Sequence, residues 1–286
     1  MKAVEAGALY VVATPIGNLG DMTPRAVEIL QEVDLIAAED TRHSGRLLTH
    51  FSIGTPTVAL HEHNERAQAP RLLARVMAGE SLALISDAGT PLVSDPGFHL
   101  VRLAREQDIR VVPVPGASAL MAGLSVSGLP TDRFVFEGFL PTKSGPRCKR
   151  LQALAGEART LIFYEAPHRV RATLEDMATV IGEGRRAVLA RELTKTFETV
   201  KDAPLGELAD WVRNDADQQK GEIVLLLAGA PDGGDSGDDS EARRILGVLL
   251  EELSLSQASA LAARITGLKK KQLYQLGLSL RAVQDK

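Results

Sequence analysis

The feature that most constrains this chain is an alternation of short, uninterrupted apolar runs rich in Val, Ile and Leu with amphipathic stretches of helical length. In the first half the runs lie at residues 9–13, 35–38, 82–86 and 111–114. Runs without a polar break at every second position suit strands covered on both faces, and their alternation with helices suits βαβ units. A mainly parallel sheet is therefore predicted. A second set follows at 134–139, 160–164, 187–190 and 223–228, with a helical stretch at 170–181 and a turn at Gly182 to Gly184. Gly128-Leu129-Pro130 marks the boundary. The reading is of two α/β domains, residues 1–128 and 129–231, the first carrying the glycine-rich turns.

Residues 231–240 read PDGGDSGDDS, with three glycines and no large apolar side chain. Such a stretch cannot join a core and is predicted to be an acidic flexible linker over 232–241. A helical unit, 242–286, is expected beyond it. Ile245, Leu249, Leu250 and Leu253 recur with helical spacing, Ser256 is placed as an N-cap before 258–265, Gly267 ends that helix, and a last helix is expected from Leu268. The chain carries a net charge of −4, which argues mildly against a nucleic-acid partner, but the charge is uneven. Asp232, Asp235, Asp238, Asp239 and Glu241 are concentrated in the linker, whereas 242–286 holds eight Lys or Arg against three acids. A basic helical hairpin with Lys269, Lys270 and Lys271 beside its turn suits nucleic acid. Packing on the main body or on a second subunit explains the same pattern.

No apolar run approaches the roughly 18 residues a membrane helix needs, and the first 13 residues have no basic leader, so a cytoplasmic protein is expected. The single cysteine, Cys148, can build neither an intrachain disulfide nor a zinc cluster.

Four turns follow expected strands: Thr14-Pro15-Ile16-Gly17-Asn18, Asp87-Ala88-Gly89-Thr90-Pro91, Ser94-Asp95-Pro96-Gly97 and Pro115-Gly116-Ala117-Ser118-Ala119. Glycine lets main chain approach a ligand closely and proline fixes the turn, so four such turns in one half point to a ligand crevice at the carboxyl ends of strands. Neither G-x-G-x-x-G nor G-x-x-x-x-G-K-[ST] occurs, which disfavours dinucleotide and nucleoside triphosphate sites. Polar residues crowd further strand ends at Glu39-Asp40-Thr41-Arg42-His43, Tyr164-Glu165-Ala166-Pro167-His168-Arg169 and Ala190-Arg191-Glu192-Leu193-Thr194-Lys195. Such clusters suit an active site, although acids are favoured at helix N-termini in any case. His61-Glu62-His63 lacks a third ligand at metal-binding spacing and reads as a structural or substrate-facing helix start.

The strings ATPIGNLGD (13–21), DLIAAEDTRH (34–43), ALHEHNE (59–65), SDAGTPLVSDPG (86–97), FEGFLP (136–141), FYEAPHR (163–169) and ARELTKTFET (190–199) resemble the tetrapyrrole methylase superfamily, and within it the bacterial branch acting on small-subunit ribosomal RNA. The resemblance spans about 9–229 and resumes weakly in the C-terminal helices. It implies two α/β domains with S-adenosyl-L-methionine in the cleft between them, 2′-O-methylation of a cytidine in the decoding region of 16S ribosomal RNA, and a homodimer. Carried over by position, the cofactor would be lined by Pro15, Gly17, Asp87, Ala88, Gly89, Thr90, Pro91, Ser94, Gly116, Ala117, Ser118 and Ala119, with Tyr164, Ala190 and Ala228 from the second domain.

A ribose hydroxyl is weakly acidic, so methyl transfer to it calls for a proton acceptor as well as alignment. Asp40, Glu39 and Glu165 are candidates, Asp40 foremost, with Lys195 stabilising the developing alkoxide. Arg42 and Arg169, beside His43 and His168, are expected to hold flanking phosphates, and Lys269 to Lys271 to help hold RNA, either the naked 16S chain or the small ribosomal subunit. No metal is called for, because the donor is cationic and its leaving group neutral. Two rivals remain, a corrinoid-precursor C-methyltransferase and a non-catalytic RNA-binding protein that keeps the fold as scaffold.

Overall fold

The computed structural model describes residues 4–231 and 237–284. The first sheet is built from β1 (Ala8–Val12), β2 (Leu35–Ala38), β3 (Thr57–Ala59), β4 (Leu82–Ile85) and β5 (Arg110–Val114), all parallel, in the order β3-β2-β4-β1-β5. Four strands coincide with the apolar runs. The fifth, β3, is a three-residue edge strand whose Thr57 is exposed, too short and too polar to stand out in the sequence.

Alternation along the strands divides the helices between two faces. Tyr10 and Val12 pack with Ile29 and Leu30 of α1 (Pro24–Glu32) and Leu48 of α2 (Thr41–His50). Leu9 and Leu84 pack with Leu73 of α3 (Glu65–Met77) and Leu100 of α4 (Phe98–Glu106). The neighbouring strands β1 and β4 thus send their following helices to opposite faces, which opens a crevice at their carboxyl ends.

The second sheet has the order β6-β7-β10-β8-β9. Strand β6 (Phe134–Phe139) is parallel to β7 (Thr160–Glu165); β10 (Ile223–Leu227) is antiparallel to both β7 and β8 (Arg186–Arg191), and β9 (Thr199–Pro204) is antiparallel to β8. The fully buried sequence IVLLL makes β10 the central strand. Edge strand β9, TVKDAP, carries polar residues and escapes an apolar-run reading. One face packs on α6 (Ser144–Leu154), α7 (Val170–Ile181) and α8 (Leu205–Asn214), where the buried Arg147 pairs with Asp176 at 2.7 Å. The other face is covered by α5 (Ala119–Val126), which follows β5 and is apolar all round. A Cβ on its Gly123 would sit 3.2 Å from Val224 Cγ1, so glycine permits the close approach.

Both sheets belong to one compact unit, which takes in the chain up to Ala155 and Arg159–Ala228. A second unit comprises α9 (Gly237–Glu252), α10 (Leu255–Thr266) and α11 (Lys270–Gln284), with a core that includes Leu246, Ala258, Ala262 and Leu273. Part of the stretch expected to be linker, 237–241, is helical; residues 232–236 lie outside the described residues. Two sequence expectations for this unit are corrected. The N-cap of α10 is Ser254, whose side chain accepts from Gln257 N–H in a capping box, so Ser256 lies inside the first turn. The last helix starts at Lys270, two residues later than expected, after Gly267 in the left-handed conformation. Among the described residues no helix is long and apolar enough to cross a membrane.

Gly97 precedes α4 with φ of +124°, and a Cβ there would lie 2.6 Å from Leu84 Cδ2. Gly97→Ala is expected to cost about 1–3 kcal/mol through combined backbone strain and overpacking, read as a lower urea midpoint with an unchanged m-value.

Candidate active site

The loops that leave the carboxyl ends of the first sheet are tied together. Thr14 and Gly89 exchange backbone hydrogen bonds of 2.9 and 3.0 Å. Thr14 Oγ1 donates to the Ser86 carbonyl at 3.3 Å, Thr90 Oγ1 to the Ala117 carbonyl at 3.0 Å, and Asp40 N–H to Asp87 Oδ1 at 3.1 Å. The turns at 87–91 and 94–97 are two parts of the one loop between β4 and α4, so the four glycine or proline turns follow three strands. Left-handed φ marks Leu92 (73°) and Ser94 (67°) in this loop, and Glu192 (52°) and Thr194 (68°) after β8. Among the described residues, four of the six non-glycine residues with positive φ therefore lie in two loops, and such strain concentrates where function requires it.

An inner cavity of about 300 Å³ lies between these loops and the second sheet. Apolar groups of Ile16, Val93, Leu193 and Val224 form much of its wall, main chain at Ala88, Gly89 and Thr90 lines one side, and Ala119 and Tyr164 reach it from the other. The Tyr164 hydroxyl accepts from Leu120 N–H at 3.1 Å, its ring meets Phe136 edge-on at 4.8 Å, and burial pushes its pKa up. Three carboxylates also face the cavity. Glu165 is buried, accepting from Thr173 Oγ1 at 2.5 Å and Ala166 N–H at 2.8 Å, and Glu222 pairs with Lys195. Among the described residues Asp95 has no cationic partner, and burial, with the charges of Glu39 and Asp87 adding to it, pushes its pKa up to about 6.

An outer cavity of about 310 Å³ adjoins the inner one and shares Ile16, Ala88 and Glu222 with it. Pro15, Gly17, Leu19, His43, Ser44, Arg46, Leu47, Asp87 and Lys195 complete its lining. Lys195 Nζ donates to Glu192 Oε1 at 2.8 Å and Glu222 Oε2 at 2.9 Å. Burial opposes its charge, but these two glutamates outweigh that effect and hold its pKa above the ordinary lysine value. Gly17 makes room for it: with φ of +150°, a Cβ there would come within 2.4 Å of Lys195 Cγ.

Several expected residues are brought together at these cavities: Ala88, Gly89, Thr90, Ala119, Tyr164 and Glu165 at the inner one, and Pro15, Gly17, Asp87, His43 and Lys195 at the outer. Others support the loops. Ala117 accepts from Thr90, Gly116 would carry a Cβ 3.0 Å from Ala13 Cβ, Ser94 Oγ lies against Gly138, Ser118 hydrogen-bonds Tyr164, and Pro91 is buried.

Six expectations need correction. Asp40 lines neither cavity: as N-cap of α2 it accepts from Arg42 N–H at 2.8 Å and His43 N–H at 3.4 Å, and it binds the Arg42 guanidinium at 3.1 Å. These bonds hold its pKa down at about 2, which makes it a weak proton acceptor, and they occupy Arg42 as well. The Arg169 side chain is largely enclosed, its Nε 3.2 Å from Glu165 Oε1 without hydrogen-bond alignment and its Nη2 donating to the Leu140 carbonyl at 2.6 Å, so it is an internal strut and no phosphate clamp. That strut and Thr173 occupy Glu165. Ala190 is wholly buried in the core beneath the cavity. Ala228 follows β10 at the opposite end of the sheet, its N–H bonded to the Arg186 carbonyl.

Glu39 is half-buried beside Asp87, and burial with that neighbour raises its pKa. His168 is exposed at the turn before α7, Lys269 to Lys271 are exposed in the helical unit, and His61 and His63 occupy the turn before α3. Sequence reasoning missed Val93, Asp95, Ser44, Arg46 and Glu222. Asp95 lay inside a recognised turn; Glu222 directly precedes an apolar strand, a signal available but unused.

The chain belongs to the Tetrapyrrole (Corrin/Porphyrin) Methylases family, whose profile matches residues 8–209. A second profile, described as RsmI C-terminal HTH domain, matches 236–281. The chain is 61% identical over 277 residues to "Ribosomal RNA small subunit methyltransferase I" of Pseudomonas aeruginosa, covering 96% of this chain and 98% of that one. It is 55% identical over 272 residues to the protein of that name from Escherichia coli O157:H7, covering 95% of each. Among solved structures it resembles diphthine synthase, with a TM-score of 0.59 and 17% identity over 77% of this chain and 90% of that one. Uroporphyrin-III C-methyl transferase from Thermus thermophilus complexed with S-adenyl homocysteine gives a TM-score of 0.54 and 19% identity, covering 77% and 97%.

The inner cavity fits the S-adenosylmethionine that this family uses. Its apolar walls suit an adenine, glycine-bearing main chain can approach polar groups, and Asp95 offers an unpaired carboxylate to a sulfonium cation. Because the Asp95 pKa is higher folded than its ordinary 3.8, its charge costs stability that is absent at pH 3, grows between about pH 4 and 6, and is fully present at pH 7. Asp95→Asn is expected to stabilise the protein at pH 7 by about 1 kcal/mol, after discounting the shift for solvent screening, and to leave stability at pH 3 unchanged. Cofactor affinity at pH 7 should fall roughly fivefold. Thermal melts at the two pH values and calorimetric titration check both outcomes; a less stable variant at pH 7 would refute the charge assignment.

Proposed function

We propose that this protein transfers a methyl group from S-adenosylmethionine to the 2′-hydroxyl of a cytidine in the decoding region of 16S ribosomal RNA. Membership of the methylase family supports the methyl transfer, and full-length relatives named for the small ribosomal subunit RNA support the acceptor. The observation that carries the reading is the junction of two cavities at Ile16, Ala88 and Glu222, with Lys195 beside it. Donor and acceptor can each occupy one cavity and meet at a charged pair.

Bound in the inner cavity, S-adenosylmethionine supplies an electrophilic methyl carbon on a positively charged sulfur that leaves as a neutral thioether. Main chain at 88–90 and the side chains of Ile16, Val93 and Tyr164 would hold it, and Asp95 would face its charge. The protein's own chemistry is then to present the hydroxyl and manage its proton. Lys195, kept charged by Glu192 and Glu222, is placed to stabilise the alkoxide as it develops. Glu222, which lines both cavities, takes over the proton-acceptor role that the sequence suggests for Asp40.

The exposed basic residues of the helical unit, Lys269 to Lys271, would add phosphate contacts, in keeping with a profile named for a helix-turn-helix domain. A homodimer accords with the exposed apolar side chains Met121 and Val126 on α5 and Phe197 and Val200 around β9, and ribosomal RNA as substrate accords with a cytoplasmic location. The domain limits expected from sequence, 1–128 and 129–231, are kept as the extents of donor-binding and covering halves.

Lys195→Ala is expected to lower kcat for methyl transfer to small-subunit RNA by about 10²-fold, with cofactor affinity changed less than threefold. Labelled methyl transfer measures the rate, and resistance of the adjacent phosphodiester to alkali reports whether the label is on a ribose oxygen. Unchanged turnover would remove Lys195 from the mechanism, and an alkali-labile product would move the methyl group to a base.

A further inference from the structure

We infer that the outer cavity is a binding site for a single nucleotide turned out of the RNA strand, with Ser44 as its buried hydrogen-bonding group and Arg46 as its phosphate contact. This rests on the RNA-methylation reading above. Ser44 is 3% exposed and lines the cavity, yet its hydroxyl has no hydrogen-bond partner among the described residues. Helical serines and threonines ordinarily return that hydrogen to the carbonyl one turn back, as Thr49 of the same helix does to Gly45 at 2.7 Å. Ser44 leaves the Asp40 carbonyl to its own N–H, at 2.9 Å, and keeps the hydroxyl free. A buried hydroxyl in that state is unfavourable unless a ligand satisfies it.

The charges around it select the ligand. Arg42, four residues before Arg46, is tied to Asp40, and Lys195 is neutralised by two glutamates. Arg46 is exposed at the cavity and makes no ion pair among the described residues, so it is a cation available to an anion from outside. Ile16, Leu19 and Leu47 add apolar lining against which a base can lie. About 310 Å³ is room for one nucleoside and far too little for a duplex, which fits recognition of a splayed, unpaired position. The shared lining at Ile16, Ala88 and Glu222 directs a nucleotide seated here towards the cofactor cavity.

The test uses the full chain with Ser44→Ala and Arg46→Ala, assayed for cofactor affinity by calorimetry, for KM and kcat on small-subunit RNA, and for RNA affinity across a salt series. Ser44→Ala should raise the KM for RNA about tenfold and leave the salt dependence unchanged. Arg46→Ala should weaken RNA binding about tenfold at low salt and reduce the slope of log affinity against log salt by about 0.7, the value of one single-strand phosphate contact; Arg46→Lys should restore the slope. Cofactor affinity should stay within twofold in all three. Variants with wild-type KM and salt slope overturn the inference, as does a Ser44→Ala protein that loses cofactor affinity and RNA affinity together, which would make Ser44 a packing residue. Failure of the underlying reading looks different: the wild-type protein would bind cofactor but transfer no methyl group to the RNA.

Discussion

Two backbone hydrogen bonds between Thr14 and Gly89 close the point from which the rest of the site is built. Strands β1 and β4 are neighbours whose chains leave for opposite faces, so their carboxyl ends would diverge without a cross-link. The bridge draws the two loops together, and the hydroxyls of Thr14 and Thr90 extend the tie to Ser86 and Ala117, which makes three loops one rigid floor. Gly89 can take part because its φ of +82° is open to glycine, and a Cβ there would crowd Ile16 Cγ2 at 3.3 Å. Ile16 is thereby fixed as the wall the two cavities share. Site precision at that wall comes from a sheet held in register, which is more exact than a free loop can be.

The opposite side is set by two missing methyl groups. Gly17 leaves the space that the Lys195 methylenes occupy, and Gly221, with φ of +80°, leaves the space where Glu192 Oε1 lies, within 2.5 Å of where a Cβ would stand. Glu192 itself is in a left-handed conformation that a glutamate adopts only at a cost. Once there, it receives Glu222 N–H at 2.9 Å and the Lys195 ammonium at 2.8 Å. A strained backbone on β8's loop is thus offset by a charge-assisted network that orients one lysine over the junction.

How much of this is legible in the sequence follows from which interactions are local. Eight strands announce themselves as apolar runs: the six interior strands, where burial on both faces is written in consecutive residues, and the edge strands β5 and β6, which stay largely apolar. The other two edge strands, β3 and β9, do not, because β3 is only three residues long and β9 carries polar residues. The direction of β10 is likewise invisible: IVLLL reads the same parallel or antiparallel, and only the packing of distant partners decides. At the site, glycine turns are legible as turns, and their convergence is legible as a crevice. Partnership between side chains is not. Glu39-Asp40-Thr41-Arg42-His43 looks like a catalytic cluster, but the α2 N-terminus claims Asp40 through its free N–H groups, and capping is a three-dimensional bond that the string alone does not distinguish from catalysis.

The net charge of −4 illustrates why a global balance says little about an acceptor. Asp95 lines the inner cavity and feels the charges of Glu39 and Asp87, an arrangement that costs stability when ionised and lowers the energy of a positively charged ligand. In the outer cavity Lys195 is offset by Glu192 and Glu222, and Arg46, which makes no ion pair among the described residues, is the cation that attracts phosphate. The two ligands of the proposed reaction, a sulfonium and a polyanion, require opposite potentials only a few ångströms apart. Lys195 and Glu222 stand at that boundary as a pair, so each potential ends at a charge of the other sign. Moving a proton from hydroxyl to Glu222 would weaken the carboxylate's hold on Lys195 at the moment an alkoxide needs the ammonium, which couples deprotonation to its own stabilisation.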